Sequence, residues 1–315
     1  MTPGEEHLNL LRDIMPYLLA GISVGGQYAL ISIGYTMVYG ILRLINFAHG
    51  DVFMVAGLIM VYLAASLPLY LAIPAVIIIT VALVFTIERV AYRPLRSAPR
   101  MSVMISAIGV SYLLQNLALY ITGGLNKNYP SIPWISDSIT IFGATTKRVT
   151  IITPILTVVL VFALAMLINH TKIGMAMRAV AKDLETAQLM GIRNNAVISV
   201  TFLIGAFLAA VGSMLFFSNY PGVVPAAGAM PGLKAFVAAV FGGIGSIPGA
   251  VLGGFIIGVC ESVIKGLDII LMQYGVLKSP LELATFSDAF TFVLLVLILV
   301  LKPTGLFGEK AAQKV

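Results

Sequence analysis

Three short stretches combine residue types that could do chemistry. The first is Leu44-Ile45-Asn46-Phe47-Ala48-His49-Gly50-Asp51, which sets an amide, an imidazole and a carboxylate close together between two apolar runs. Inside a membrane such a cluster is costly unless it meets water, a protein partner or a cavity. Asn46, Phe47, His49, Gly50 and Asp51 are therefore candidates to line a path through the bilayer. An ordinary turn, with Asn46 or Asp51 capping the next helix, explains them equally well. His49 beside Asp51 has no nucleophile and is not a catalytic pair.

The second stretch runs from Gly242-Gly243-Ile244-Gly245-Ser246 to Gly253-Gly254. It is not a nucleotide-binding P-loop, because no Gly-Lys pair occurs in the chain. Small residues at this density allow close helix packing. They also permit a broken helix whose free backbone groups line a cavity, which makes Gly242, Gly243 and Gly245 further path candidates. The third stretch, 172–193, interleaves Met175, Met177, Val180, Leu184, Ala187 and Leu189 with charges. That is an amphipathic helix, too polar to span, and it either lies at the interface or docks on a partner. Cys260 is a lone small residue in an apolar run, and His7, His49 and His170 have no metal-binding spacing.

These stretches need apolar elements to hold them. Of 315 residues, 59% are hydrophobic and only 10% charged, with a mean hydropathy of +1.02. Soluble domains carry about 25% charged residues. The composition predicts an all-α polytopic membrane protein, a single domain over 1–315. Charge-free intervals at 14–42, 52–87, 101–126, 149–171, 194–233, 235–260 and 289–301 outline its spans. The expected segments are 15–40, 48–66, 69–88, 101–122, 150–169, 196–218, 233–247, 249–267 and 288–302, making eight or nine transmembrane helices. The seventh, short and glycine-rich, is expected to be broken or re-entrant. Glu5, Glu6, Arg12 and Asp13 replace the basic start of a cleavable signal, so the first helix is expected to remain.

Arg43, the loop 88–100, the loop 172–193 and the tail with Lys302, Lys310 and Lys314 hold twelve basic residues. The opposite segments hold six: Arg12, Lys127, Lys147, Arg148, Lys265 and Lys278. The bias predicts an external N-terminus and a cytoplasmic C-terminus, which needs an odd number of passages. The net charge of +6 is thereby explained without nucleic acid. Residues 123–149, with Gly123-Gly124, Pro130, Pro133 and Trp134 and an alternating stretch at Ser138–Phe142, read as an ordered external loop with a short hairpin.

Within 172–193, Glu185-Thr186-Ala187 followed after three residues by Gly191 resembles the EAA loop of ABC importer permeases. The whole chain resembles the inner-membrane permeases of branched-chain amino acid ABC importers, the LivH type. The Leu44–Asp51 signature, Tyr92-Arg93-Pro94-Leu95-Arg96, Phe241–Ser246 and the closing Leu301–Gly308 carry that resemblance in order. Two departures stand out: Thr186 holds the middle of the EAA match, and its downstream half is not recognisable. The resemblance implies a permease domain in a bacterial inner membrane that binds no cofactor and is not an enzyme. It implies a second homologous permease subunit, two cytoplasmic ATPase subunits that bind the ATP, and an extracytoplasmic substrate-binding protein. Glu185, Thr186, Ala187 and Gly191 would form the ATPase-coupling loop, and the substrate would be leucine, isoleucine, valine or another small amino acid, urea or an amide. A competing reading is an ion-coupled secondary carrier. Of its candidate carboxylates, Asp51 and Asp268 fall at segment ends. Glu261 alone is expected to be buried, with Lys265 four residues on as a partner.

With Cys260→Ala as background, Ser97→Cys and Ser131→Cys should label from opposite sides with an impermeant thiol reagent. Labelling from one side overturns the topology.

Overall fold

Apolar chain in hydrocarbon must satisfy its backbone N–H and C=O groups internally, and the charge-free intervals accordingly fold as helices. The computed structural model describes residues 3–96, 98–141, 144–274, 279 and 282–308. Ser97, Phe142, Lys278, Lys310 and Lys314, invoked above, lie outside them. Twelve α-helices follow in order among the described residues: α1 (Pro3–Leu42), α2 (His49–Ser66), α3 (Leu69–Ile87), α4 (Arg100–Thr122), α5 (Pro133–Ser136), α6 (Arg148–His170), α7 (Lys172–Lys182), α8 (Leu184–Leu189), α9 (Asn194–Asn219), α10 (Ala229–Gly242), α11 (Ile247–Gln273) and α12 (Leu283–Leu301). α1–α4, α6, α9, α11 and α12 are each long and apolar enough to cross a membrane. α10 has only 14 residues, about 21 Å of helix against a hydrocarbon core of about 30 Å. The protein is an all-α polytopic membrane protein.

Five expected segments differ by more than two residues from those observed: α11 runs on to Gln273 where 267 was expected, α12 starts at Leu283 where 288 was expected, and three others depart as well. α1 starts well before residue 15. The 172–193 helix divides into α7 and α8, because Asp183 between them is extended and caps the second. The 233–247 segment becomes α10 at 229–242: Gly243 and Gly245 take φ of +108° and +98°, values that L side chains resist and that end a helix.

Four short strands close one end of the bundle. β1 (Lys127–Asn128) pairs antiparallel with β4 (Gly222–Val223), and β2 (Ser138–Ile141) with β3 (Ala144–Lys147), the expected hairpin. At this hairpin end the Lys147 ammonium donates to the Asn219 carbonyl, and Gln273 donates to Asp13. The opposite, basic end holds α7, α8, a tight π-helical and 3₁₀ turn at Glu88–Leu95, and the Gly243–Ser246 turn. There the backbone N–H groups of Leu306 and Phe307 donate to the carbonyls of Phe241 and Gly242 at 3.0 and 2.9 Å. Residue 13 and residues 306–307 thus lie at opposite ends. Among the described residues eight helices are long enough to cross, and α10 is a half-length helix besides them.

α1 is the central post, packed against α11 and flanked by α6, α9 and α10. Its contact with α11 is nearly backbone on backbone. A Cβ at Gly25 would stand 2.7 Å from the Phe255 Cα, and one at Gly258 would overlap the Gly25 backbone. Gly21 and Gly25 on α1 face Gly254 and Gly258 on α11, a small-xxx-small pair on each helix. Gly258→Val should therefore cost about 3 kcal/mol as overpacking, read as a lowered unfolding midpoint in detergent. Gly109→Ala, where a Cβ meets nothing within 4 Å, should be neutral or gain up to about 1 kcal/mol of helix propensity.

Candidate functional site

α1 ends at Leu42, and Arg43 takes the uncommon φ of +54° that turns the chain back toward the interior. The stretch from Leu44 then climbs into the bundle, so that α2 begins deep inside it. Three contacts fix the depth. The His49 imidazole packs on Gly34, where any Cβ would collide with it. Gly34 lies eight residues before the end of α1, about 12 Å of helix. The same ring meets Tyr35 edge-on at 5.1 Å. The Asp51 carboxylate accepts hydrogen bonds from Ser111 and Gln115, both from the middle of α4.

The capping explanation for Asn46 and Asp51 is overturned. Ala48 occupies the N-cap of α2 and no side chain caps it. Asn46 Oδ1 instead accepts from the Tyr92 hydroxyl at 2.8 Å, and Asp51 is engaged by α4. Asn46, His49 and Asp51 are all buried, where an unpaired polar group would cost about 1–3 kcal/mol or more.

A second helix starts at the same interior point. A Cβ at Gly50 would stand 2.7 Å from the Gly228 carbonyl oxygen, and one at Gly232 2.8 Å from the Gly50 Cα. From this crossing α2 runs toward the hairpin end, where Phe53 packs on Phe216 and Phe217. α10 runs the other way, to the basic end. Each helix start carries about half a positive charge, and the two are brought together within the bundle. Phe47 and Tyr35 pack around Phe236 of α10. Gly228, Gly232, Tyr92, Ser111 and Gln115 were missed by the sequence reading; the Asn219–Gly222 turn drew attention away from the glycines just after it.

Gly242, Gly243 and Gly245 do not join this site. They sit at the far end of α10, where Gly242 presses on Gly249 and a Cβ at Gly243 would collide with Gly308. The turn they form lets α11 fold back against α10, the packing use of small residues.

Four carboxylates are buried in the bundle, a correction to the expectation of Glu261 alone. Asp51 is held by α4, and Asp268 accepts from the Leu283 N–H. Glu88, fully buried, pairs with Arg96 and accepts from Ser199 at 2.8 Å. Burial pulls the Arg96 pKa below its usual value, and the Glu88 charge pushes it back. Glu261 accepts from Lys265 as expected, and also from Lys234 at 2.7 Å and the Tyr28 hydroxyl at 2.8 Å. Lys234 bridges on to Asp288, so α1, α10, α11 and α12 are tied by one charged cluster.

At the basic end, Asp183 Oδ1 accepts from the backbone N–H groups of Glu185 and Thr186, and its other oxygen accepts from the Thr186 hydroxyl. Ala187 is buried and Glu185 exposed. Gly191 closes α8 at φ +84°, with the Ile192 N–H returning to the Ala187 carbonyl, a Schellman-type stop. A Cβ there meets nothing, so glycine is required for its dihedral and not for space. Beside it Leu189 and Met190 are 87% and 79% exposed, an apolar tip with no contact to justify it in this chain.

Residues 17–299 match the family model described as branched-chain amino acid transport system / permease component. The chain belongs to that family. The permease is 41% identical over 311 residues to the high-affinity branched-chain amino acid transport system permease protein BraD of Pseudomonas aeruginosa, covering 95% of this chain and 97% of that one. It is 41% identical over 325 residues to the LivH permease of Salmonella typhimurium and 39% identical to that of Escherichia coli K12, covering 99% of this chain and all of each relative.

In the permease, Gly228→Ala should insert normally yet lower transport about tenfold or more, since an added Cβ overlaps the Gly50 carbonyl. Overpacking of about 1–3 kcal/mol at the crossing corresponds to that range. Uptake normalised to membrane-inserted protein is the measurement.

Proposed function

We infer that the chain is the transmembrane permease subunit of an ATP-driven importer for branched-chain amino acids: leucine, isoleucine and valine. The near full-length match to BraD and LivH carries this reading. The subunit works in a bacterial inner membrane, with the hairpin end external and the basic end cytoplasmic. Its partners are a second homologous permease, two ATPase subunits docking on the basic end, and a binding protein delivering substrate at the hairpin end. The sequence has no P-loop lysine, so ATP is bound by those partners and this chain is a transport subunit without enzyme activity of its own.

Two features support the mechanism. The α8 tip, Leu189-Met190, is exposed apolar surface on a short helix pinned by the Asp183 cap and the Gly191 stop, a shape suited to insertion into an ATPase groove. Movement of that tip reaches α9 through Ile192, and α9 flanks the α2–α10 crossing. In this reading the path would pass the crossing, with Asn46, Phe47, His49, Gly50 and Asp51 around it. Opening would shift α2 and α10, which meet backbone to backbone at Gly50, Gly228 and Gly232.

The carrier reading is disfavoured by Glu261 itself. Its carboxylate already holds two ammonium groups and a phenol, a structural knot and not a site awaiting an ion. Vesicles holding both permeases, the ATPases and the binding protein should take up leucine only with ATP, and Glu261→Gln should keep ATP dependence while losing some stability. Gradient-driven uptake by this chain alone, lost in Glu261→Gln, would reverse the assignment. Leu189→Asp or Gly191→Val should release the ATPase subunits and abolish uptake with the permease still inserted; normal uptake in both returns the loop to a plain interfacial role.

A further inference from the structure

The basic end contains a cavity of about 1270 Å³ between the end of α1, the 88–96 turn, α4, α8 and the start of α9. Its chemistry is lopsided. Four guanidinium groups line it, from Arg89, Arg93, Arg96 and Arg193, and no carboxylate does. The nearest acid, Glu88, is fully buried in the wall and engaged by Arg96 and Ser199. Another part of the lining is apolar, with Ile41, Phe85, Val103 and Leu203. Two buried polar atoms have no partner there: Arg96 Nε, a donor, and Asn194 Oδ1, an acceptor.

Each observation narrows the occupant. A zwitterionic amino acid needs an anionic or carbonyl cage for its ammonium group, and four arginines without a carboxylate repel that group. A phosphodiester fits the guanidinium cluster, since Arg matches phosphate bidentately. A bare phosphate could donate its own hydroxyl to Asn194 Oδ1 but leaves the apolar wall unused, whereas a headgroup bearing hydroxyls supplies the same donor and brings acyl chains for that wall. Basic pockets between membrane helices at one leaflet are suited to such lipids.

We propose that this cavity binds one anionic phospholipid with a hydroxylated headgroup, of the phosphatidylglycerol class. Its phosphodiester sits among Arg89, Arg93 and Arg193, a headgroup hydroxyl donates to Asn194, and its chains lie against the α1, α4 and α9 wall. The lipid would brace the 88–96 turn against the start of α9, next to Tyr92 and its bond to Asn46. The cavity shares Asn46 with the path candidates and Gly191 with the proposed coupling loop, but the lipid assignment rests on the cavity's own chemistry and not on those roles.

The test is photocrosslinking in phosphatidylcholine vesicles doped with photoactivatable phosphatidylglycerol, with peptide mapping by mass spectrometry. Labelling should map to α1 near Ile41 and to α9 near Leu203, and Arg93→Gln combined with Arg193→Gln should reduce it at least fivefold. Leu203→Trp, which fills the apolar wall and leaves every arginine in place, should reduce it as well. Photoactivatable phosphatidylcholine should not label these positions. Three results would overturn the proposal: equal labelling by the two lipids, labelling unchanged in both variants, or labelling abolished by millimolar inorganic phosphate, which would assign the arginines to a free anion. Loss of bound ATPase in the double arginine variant with lipid labelling intact would also overturn it, assigning the arginines to a protein contact.

Discussion

Polar groups carried into the bundle need partners there, because hydrocarbon offers none. That requirement organises the interior. Asp51 is met by Ser111 and Gln115, Asn46 by Tyr92, Glu88 by Arg96 and Ser199, and Glu261 by Lys234, Lys265 and Tyr28. Apart from Glu88–Arg96 and Glu261–Lys265, which are local, these bonds join segments distant in the chain. The polar clusters therefore do what apolar packing cannot do in lipid, where a leucine gains little by exchanging one apolar neighbour for another. They fix which helix sits beside which.

Close backbone contact supplies the remaining adhesion. The α1–α11 glycine faces and the Gly50–Gly228–Gly232 crossing bring main chains together where side chains would hold them apart. The two uses of glycine differ in consequence. Along α1 and α11 it creates a long, uniform seam that holds. At the crossing it creates a single point of contact between two helix starts, which can pivot without tearing a packed surface.

Much of this was legible in the sequence. Intervals free of charge marked the spans, because a charge in lipid is rare enough to act as punctuation. The same habit concealed Lys234, which read as the boundary between two apolar intervals and is in fact buried within α10. Asp51 was misplaced for a related reason: hydropathy reports that a segment is apolar, not how deep its first residue lies. Nothing in the local pattern says that 44–48 climbs inward after α1 ends. The 172–193 segment was legible down to Gly191, whose type betrayed its dihedral, while the break and cap at Asp183 left no sign in the amphipathic pattern. The polar partners on α4 were invisible for want of any sign that Ser111 and Gln115 face α2.

The Lys234–Glu261 pair bears on how the chain enters the membrane in the first place. A 14-residue helix carrying a lysine partitions poorly into lipid, since a central lysine costs about 3 kcal/mol on insertion scales. The acid that neutralises it lies 27 residues later, on the following helix. Entry of α10 and α11 together, as a hairpin closed by the Gly243–Ser246 turn, would neutralise the lysine before it meets lipid. A stop codon or a ribosomal stall between residues 242 and 261 would strand an unpaired ammonium group, leaving quality-control proteases a clear mark by which to recognise the unfinished chain.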